Sequence, residues 1–129
     1  MILLFLIHGI LTITSFIILL SISDLPGGAV GMTPLLVMIL VLAQFIVGII
    51  GFVILRKRMS SKRQRLFLLL GYSMVYWIIL YFSMKDYNFH ETLQYTIDGG
   101  LNRRYYLTNL ISTIIVLGIF KWKEIGYSK

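Results

Sequence analysis

The chain has 129 residues, of which 58% are hydrophobic and 13% charged, with mean hydropathy +0.88 and formal net charge +7. An average soluble domain is about 45–50% apolar and about 25% charged, so this composition excludes an ordinary water-soluble core of this size and calls for lipid around it. The chain has no cysteine, which excludes disulfides, thiolate nucleophiles and cysteine metal sites.

A membrane helix needs roughly 20 apolar residues, because it rises about 1.5 Å per residue across a hydrocarbon core of about 30 Å. Four stretches meet that requirement. The first covers about 2–22 and starts directly after Met1 with no basic residue before it. It is longer than the 7–15 residues of a secretory h-region, so it is expected to stay attached despite the small-residue triplet Ser21-Ile22-Ser23. The second covers about 34–55, with Thr33 as expected N-cap and Pro34 at the first helical position. The third covers about 66–84. The fourth, about 105–120, is the shortest and needs residues 101–104 or 121–122 to complete its reach. None of the four spans contains Asp, Glu, Lys or Arg.

The connections carry the charge. Residues 23–33 hold no Lys or Arg, whereas the loop at 56–65 (RKRMSSKRQR) holds Arg56, Lys57, Arg58, Lys62, Arg63 and Arg65. With both termini on one side, that side has nine basic residues and the other has three. Positive-inside bias then predicts an N-in/C-in chain in the cytoplasmic membrane, with 56–65 in the cytosol. The same six side chains are expected to attract anionic lipid headgroups. Nucleic acid is a poor partner for them, since no aromatic residue is interleaved for base stacking.

The outer segment, 85–104, reads KDYNFHETLQYTIDGGLNRR. Asn88 and Glu91 have capping-box spacing, Phe89, Leu93 and Ile97 recur every four residues, and Gly99-Gly100 is a stop signal. This predicts a short amphipathic surface helix between spans three and four. His90 with Asp86, Glu91 and Asp98 matches no defined metal spacing, so no metal or other cofactor is expected there.

Inside the spans, polar residues share helix faces. His8, Thr12 and Ser15 fall at i, i+4 and i+7, and Gln44, Gly48 and Gly51 repeat that spacing. Span three offers Gly71, Ser73, Tyr72, Tyr76, Trp77 and Tyr81, and span four offers Thr108, Asn109, Ser112 and Thr113. Gln44 lies ten residues from its span's outer end, about 15 Å deep at 1.5 Å per residue. A polar layer near the midplane is therefore expected, with His8, Thr12, Ser15, Gln44, Asn109 and Ser112 as the candidate face. Gly48 and Gly51 are expected to admit close helix contact.

Such residues are the ordinary glue of membrane helices. A hydrolase would need a nucleophile with its base, a phosphotransferase a phosphate loop, and a coupled transporter an intramembrane carboxylate. None of these is legible. The expected fold is all-α, an integral membrane four-helix bundle. The expected function is non-catalytic: an accessory, immunity-like or regulatory subunit binding another membrane protein laterally. The alternative is self-association into a homo-oligomeric pore or small channel.

Overall fold

The computed structural model describes residues 1–22, 31–58, 61–83 and 97–126, with side chains from 103 to 122 in the last stretch. Among the described residues the chain is all-helical. It forms four helices: α1 (Ile2–Ser21), α2 (Thr33–Leu55), α3 (Lys62–Ser83) and α4 (Ile97–Gly126). All four are long and apolar enough to cross a membrane, the qualifying part of α4 being Arg103–Trp122. The chain is thus a multi-pass integral membrane protein by helix length and composition.

Three differences from the sequence expectation have a local physical reason, and α4 in addition runs six residues past the expected end at 120. Helix α2 is capped at Met32, so Thr33 is already helical and Pro34 follows inside the first turn, where a missing N–H costs nothing. Helix α3 starts at Lys62, four residues before the apolar run. Ser61 and Gln64 form a reciprocal capping box there, Ser61 N–H donating to Gln64 Oε1 at 3.1 Å and Gln64 N–H donating to Ser61 Oγ at 3.3 Å. The basic loop is therefore shorter than the charge pattern implied, and Lys62, Arg63 and Arg65 belong to a helix. The third difference is at Gly99-Gly100, which end no helix but lie within the first turn of the 30-residue α4. Two glycines cost a helix only about 1 kcal/mol each, which a 30-residue helix tolerates. The C-terminal part of the expected surface helix is thus the start of α4. Its remainder, with Asn88, His90 and Glu91, lies outside the described residues, as does Asp86.

The helices pack in the cyclic order α1–α2–α3–α4, and α1 and α4 share the most extensive contact. Pairings across each interface run in opposite directions along the chain. Gly9 meets Val41 while Phe5 approaches Gly48, and Phe16 stacks on Tyr105 while His8 reaches Thr113. The result is an up-and-down antiparallel bundle, as short connections favour.

Its interior has three levels. Phe16, Val37, Leu40, Val41, Tyr76, Leu80 and Tyr105 form one apolar cluster. Leu4, Phe5, Leu69, Tyr72 and Val116 form a second, nearer the α2–α3 turn. Between them lies a buried polar level. The outer wall is apolar almost throughout: Ile10 is 56% exposed, Leu42 61% and Ile114 61%. In water a surface of this kind would drive aggregation, whereas against acyl chains it costs nothing.

Candidate functional site

The buried polar level draws on all four helices. From α1 come His8 and Thr12, from α2 Gln44, from α3 Ser73, and from α4 Thr108, Asn109, Ser112 and Thr113. None of these eight is more than 8% exposed. Ser15, one further turn along α1, is only half-buried.

Hydroxyls on a helix can donate to the carbonyl three or four residues back, and several do so here. Thr12 Oγ1 donates to His8 O at 2.9 Å and Ser112 Oγ to Thr108 O at 2.8 Å. Thr108 Oγ1 donates to Tyr105 O at 3.0 Å. These protons are spent within one helix, so Thr12, Ser112 and Thr108 hold no neighbouring helix through them.

The cross-links come from other residues. His8 Nε2 lies 3.0 Å from Thr113 Oγ1, joining α1 to α4. Ser73 Oγ sits 2.9 Å from Asn109 Oδ1 and in contact with Thr113 Oγ1, joining α3 to α4. Thr113 Oγ1 also reaches Asn109 O at 2.7 Å. Two hydroxyl protons thus serve three contacts among Ser73, Thr113 and Asn109. The count closes when the Asn109 amide is turned through 180°, since the two ends of an amide have the same shape. Nδ2 then donates to Ser73, Ser73 donates to Thr113, and Thr113 donates to the Asn109 carbonyl. Thr113 still has a lone pair for a proton on His8 Nε2.

Tyr72 is the second hub. Gln44 Nε2 donates to its carbonyl at 2.9 Å, and its hydroxyl donates to Phe5 O at 3.1 Å across the bundle diagonal. Its ring stacks on Phe5 with centroids 4.2 Å apart and meets the edge of His8 at 5.3 Å. Gly48 makes room for it: a Cβ at that position would stand 2.6 Å from Tyr72 Cε2. Gly9 plays the same part on α1, where a Cβ would stand 2.8 Å from Val41 Cγ1.

With the amide as placed, four buried polar atoms have no partner among the described residues: His8 Nδ1, Gln44 Oε1, Tyr76 Oη and Asn109 Nδ2, the last position becoming Oδ1 once the amide is turned. Tyr76 Oη is close to Thr108 but without hydrogen-bond geometry. In the assignment that closes the count, with the amide turned and the His8 proton on Nε2, they comprise three acceptors and one hydroxyl.

The His8–Thr113 pair has the separation of a base and a nucleophile. Thr113 is enclosed by helices, and among the described residues His8 Nδ1 has no partner. Among the described residues, no group of His, Asp and Glu is placed to hold a metal ion. What the arrangement does chemically is hold four helices in one register.

Of the six residues expected to form the face, His8, Gln44 and Asn109 reach other helices. Thr12 and Ser112 bond their own helix, and Ser15 stands at the edge. Tyr72, Ser73 and Thr113 complete the network. The signal for Tyr72 lay in pairing a small residue on one span with an aromatic on the next, as Gly48 and Tyr72 pair here.

The six basic residues of the α2–α3 connection are all exposed. Arg56, Lys57 and Arg58 follow α2, and Lys62, Arg63 and Arg65 open α3. Beside them a cavity of 450 Å³ opens between α2 and α3. Gly51 and Gly71 border open space there, with no atom within 4 Å of a Cβ built on either. Comparison with protein-family models, curated proteins and solved structures finds no match to this chain.

Proposed function

We propose that this protein is a small non-catalytic membrane subunit, of accessory, immunity-like or regulatory type, acting through lateral contacts with another membrane protein. One observation carries the reading. Most polar side chains of the spans are turned inward, and His8, Gln44, Ser73 and Thr113 link helices there, while the wall facing outward is largely apolar, Thr14 and Tyr81 being exceptions. A chain built this way has a packed polar level at its centre and offers its surroundings an apolar surface. Lateral association through van der Waals packing is what such a surface supports.

The test is affinity purification at native expression in mild detergent, with photo-crosslinkers at outward positions such as Leu42, Ile78 and Ile114. A reproducible adduct to one other membrane protein is expected. Repeated recovery of the chain alone would remove the proposal.

A homo-oligomeric pore is the second reading, favoured by the four unpartnered atoms at His8, Gln44, Tyr76 and Asn109. These are groups that a polar path through the membrane would use. They face the interior of one chain, so a pore requires the bundle to open. Flux across proteoliposomes equal to that of empty ones, in several salts and at both polarities, would eliminate it.

The proposed orientation has both termini and the 56–65 connection in the cytosol, on the strength of the basic-residue asymmetry. Topology reporters at Ser60 and Gly100 should report opposite sides, and an external Ser60 would reverse the assignment. The cytoplasmic membrane is the proposed location on the same grounds.

A further inference from the structure

The cavity between α2 and α3 has a shape and a charge that point to one kind of ligand. It runs along α3 from Gln64, beside the basic turn, to Val75, near the polar level. Eleven residues of helix cover about 16 Å at 1.5 Å per residue, and half of a 30 Å hydrocarbon core is about 15 Å. The cavity therefore has the depth of a single leaflet. Its walls are apolar, with Val47, Leu55, Phe67 and Leu68 among them, and its sides are opened by Gly51 and Gly71. Gly48 and Tyr72 close its inner part, since the Tyr72 ring fills the space a side chain at Gly48 would take.

The mouth differs from the walls. Arg58 and Gln64 stand there, at the end next to the basic turn. Gln64 is fixed by the capping box with Ser61, so its place at the mouth is set by the start of α3. Arg58 N–H donates to Leu55 O at 2.9 Å, which holds the turn against the end of α2. Arginine presents a planar fork of donors matched to phosphate oxygens. A purely apolar occupant, such as a partner helix, would leave that charge at the rim without a counterpart.

We infer that the α2–α3 cavity is a binding site for one acyl chain of an anionic phospholipid from the leaflet next to residues 56–65, with Arg58 holding its phosphate. This assignment needs no protein partner and is independent of the lateral-subunit reading. It places a lipid as a wedge between two helices whose other halves pack directly. The occupant fills a gap that the chain's own side chains leave open.

The experiment is native mass spectrometry of the full chain in non-ionic detergent, titrated with dioleoyl phosphatidylglycerol or dioleoyl phosphatidylcholine. The wild type should retain one lipid and favour the anionic one. Arg58→Gln should reduce that preference about fivefold, the effect of one basic side chain near a charged headgroup. Lys57→Gln, a neighbour outside the cavity, should change it clearly less. Gly71→Leu should lower retention of both lipids without altering their ratio, and Gly51→Leu repeats that test should Gly71→Leu fold poorly. Equal retention of both lipids by the wild type would overturn the inference. So would equal losses in Arg58→Gln and Lys57→Gln, which would mean diffuse attraction by the basic turn. A photo-crosslinker at position 71 should label lipid in membranes; exclusive labelling of a protein would give the cavity to a partner helix.

Discussion

The two halves of the α2–α3 interface are built from similar residues and behave differently. In the half beyond the polar level, Val37, Leu40 and Val41 of α2 close against Tyr76 and Leu80 of α3 within one cluster. In the half near the basic turn, the same two helices leave a cavity. Gly48 and Gly51, three residues apart on α2, mark where one arrangement gives way to the other. At Gly48 the absent side chain is replaced by the Tyr72 ring, and at Gly51 it is replaced by nothing. A small residue in a membrane helix permits close approach, but whether approach follows depends on what the facing helix supplies.

The largest contrast should appear between two phenylalanines. Phe5→Ala removes a fully buried ring stacked on Tyr72 and should destabilise the bundle by about 3–5 kcal/mol. Phe67→Ala, at a residue 69% exposed on the cavity rim, should change stability by less than about 0.5 kcal/mol. Denaturant titration followed by helical circular dichroism in detergent measures both. Comparable losses would mean that the open half is packed in solution.

The glycine pair comes next. Gly48→Leu forces Tyr72 from its position and should cost about 1–3 kcal/mol by overpacking. Gly51→Leu meets no neighbour and replaces a poor helix former, so it should be neutral or stabilising by up to about 1 kcal/mol. Reversal of that order in the same titration would break the distinction between the two glycines.

Two smaller effects sharpen it. Ser61→Ala removes the capping box that fixes the cavity mouth and should cost about 1 kcal/mol, with faster hydrogen exchange confined to the first turn of α3. Tyr72→Phe deletes the hydroxyl bond to Phe5 O but keeps the ring, and should cost about 0.6 kcal/mol. A loss as large as that of Phe5→Ala would show that the diagonal hydrogen bond, rather than the stacked rings, holds α1 to α3.

Much of the fold was legible because hydrophobic length is a local property. A run of about 20 apolar residues without charge has few options in water, so the first three helices could be placed within four residues, whereas α4 starts eight residues before and ends six residues after the expected 105–120. The misplacements occurred where local signals competed. Gly99-Gly100 read as a stop, yet they lie within the long α4. The sequence SKRQ read as loop because its charge pattern drew attention from its capping box. The polar level was only partly legible. His8, Gln44 and Asn109 stand out as polar groups in apolar surroundings, and polar groups at depth need partners. Which partners they take was not legible, because a hydroxyl can bond its own helix as readily as its neighbour. Thr12 and Ser112 took the first course and Thr113 and Ser73 the second.

Sequence alone determined that this chain enters a membrane, roughly how many times, and where its charge is concentrated. Those features follow from composition over windows as long as a helix, and tertiary contact does not alter them. Tertiary structure decided the cyclic helix order, the Tyr72 hub, the His8–Thr113–Ser73–Asn109 network and the cavity beneath Arg58. Each depends on how a side chain on one helix faces a second helix tens of residues away. Hydropathy cannot encode that relation, because lipid and a neighbouring helix present the same apolar surface to the side chain between them.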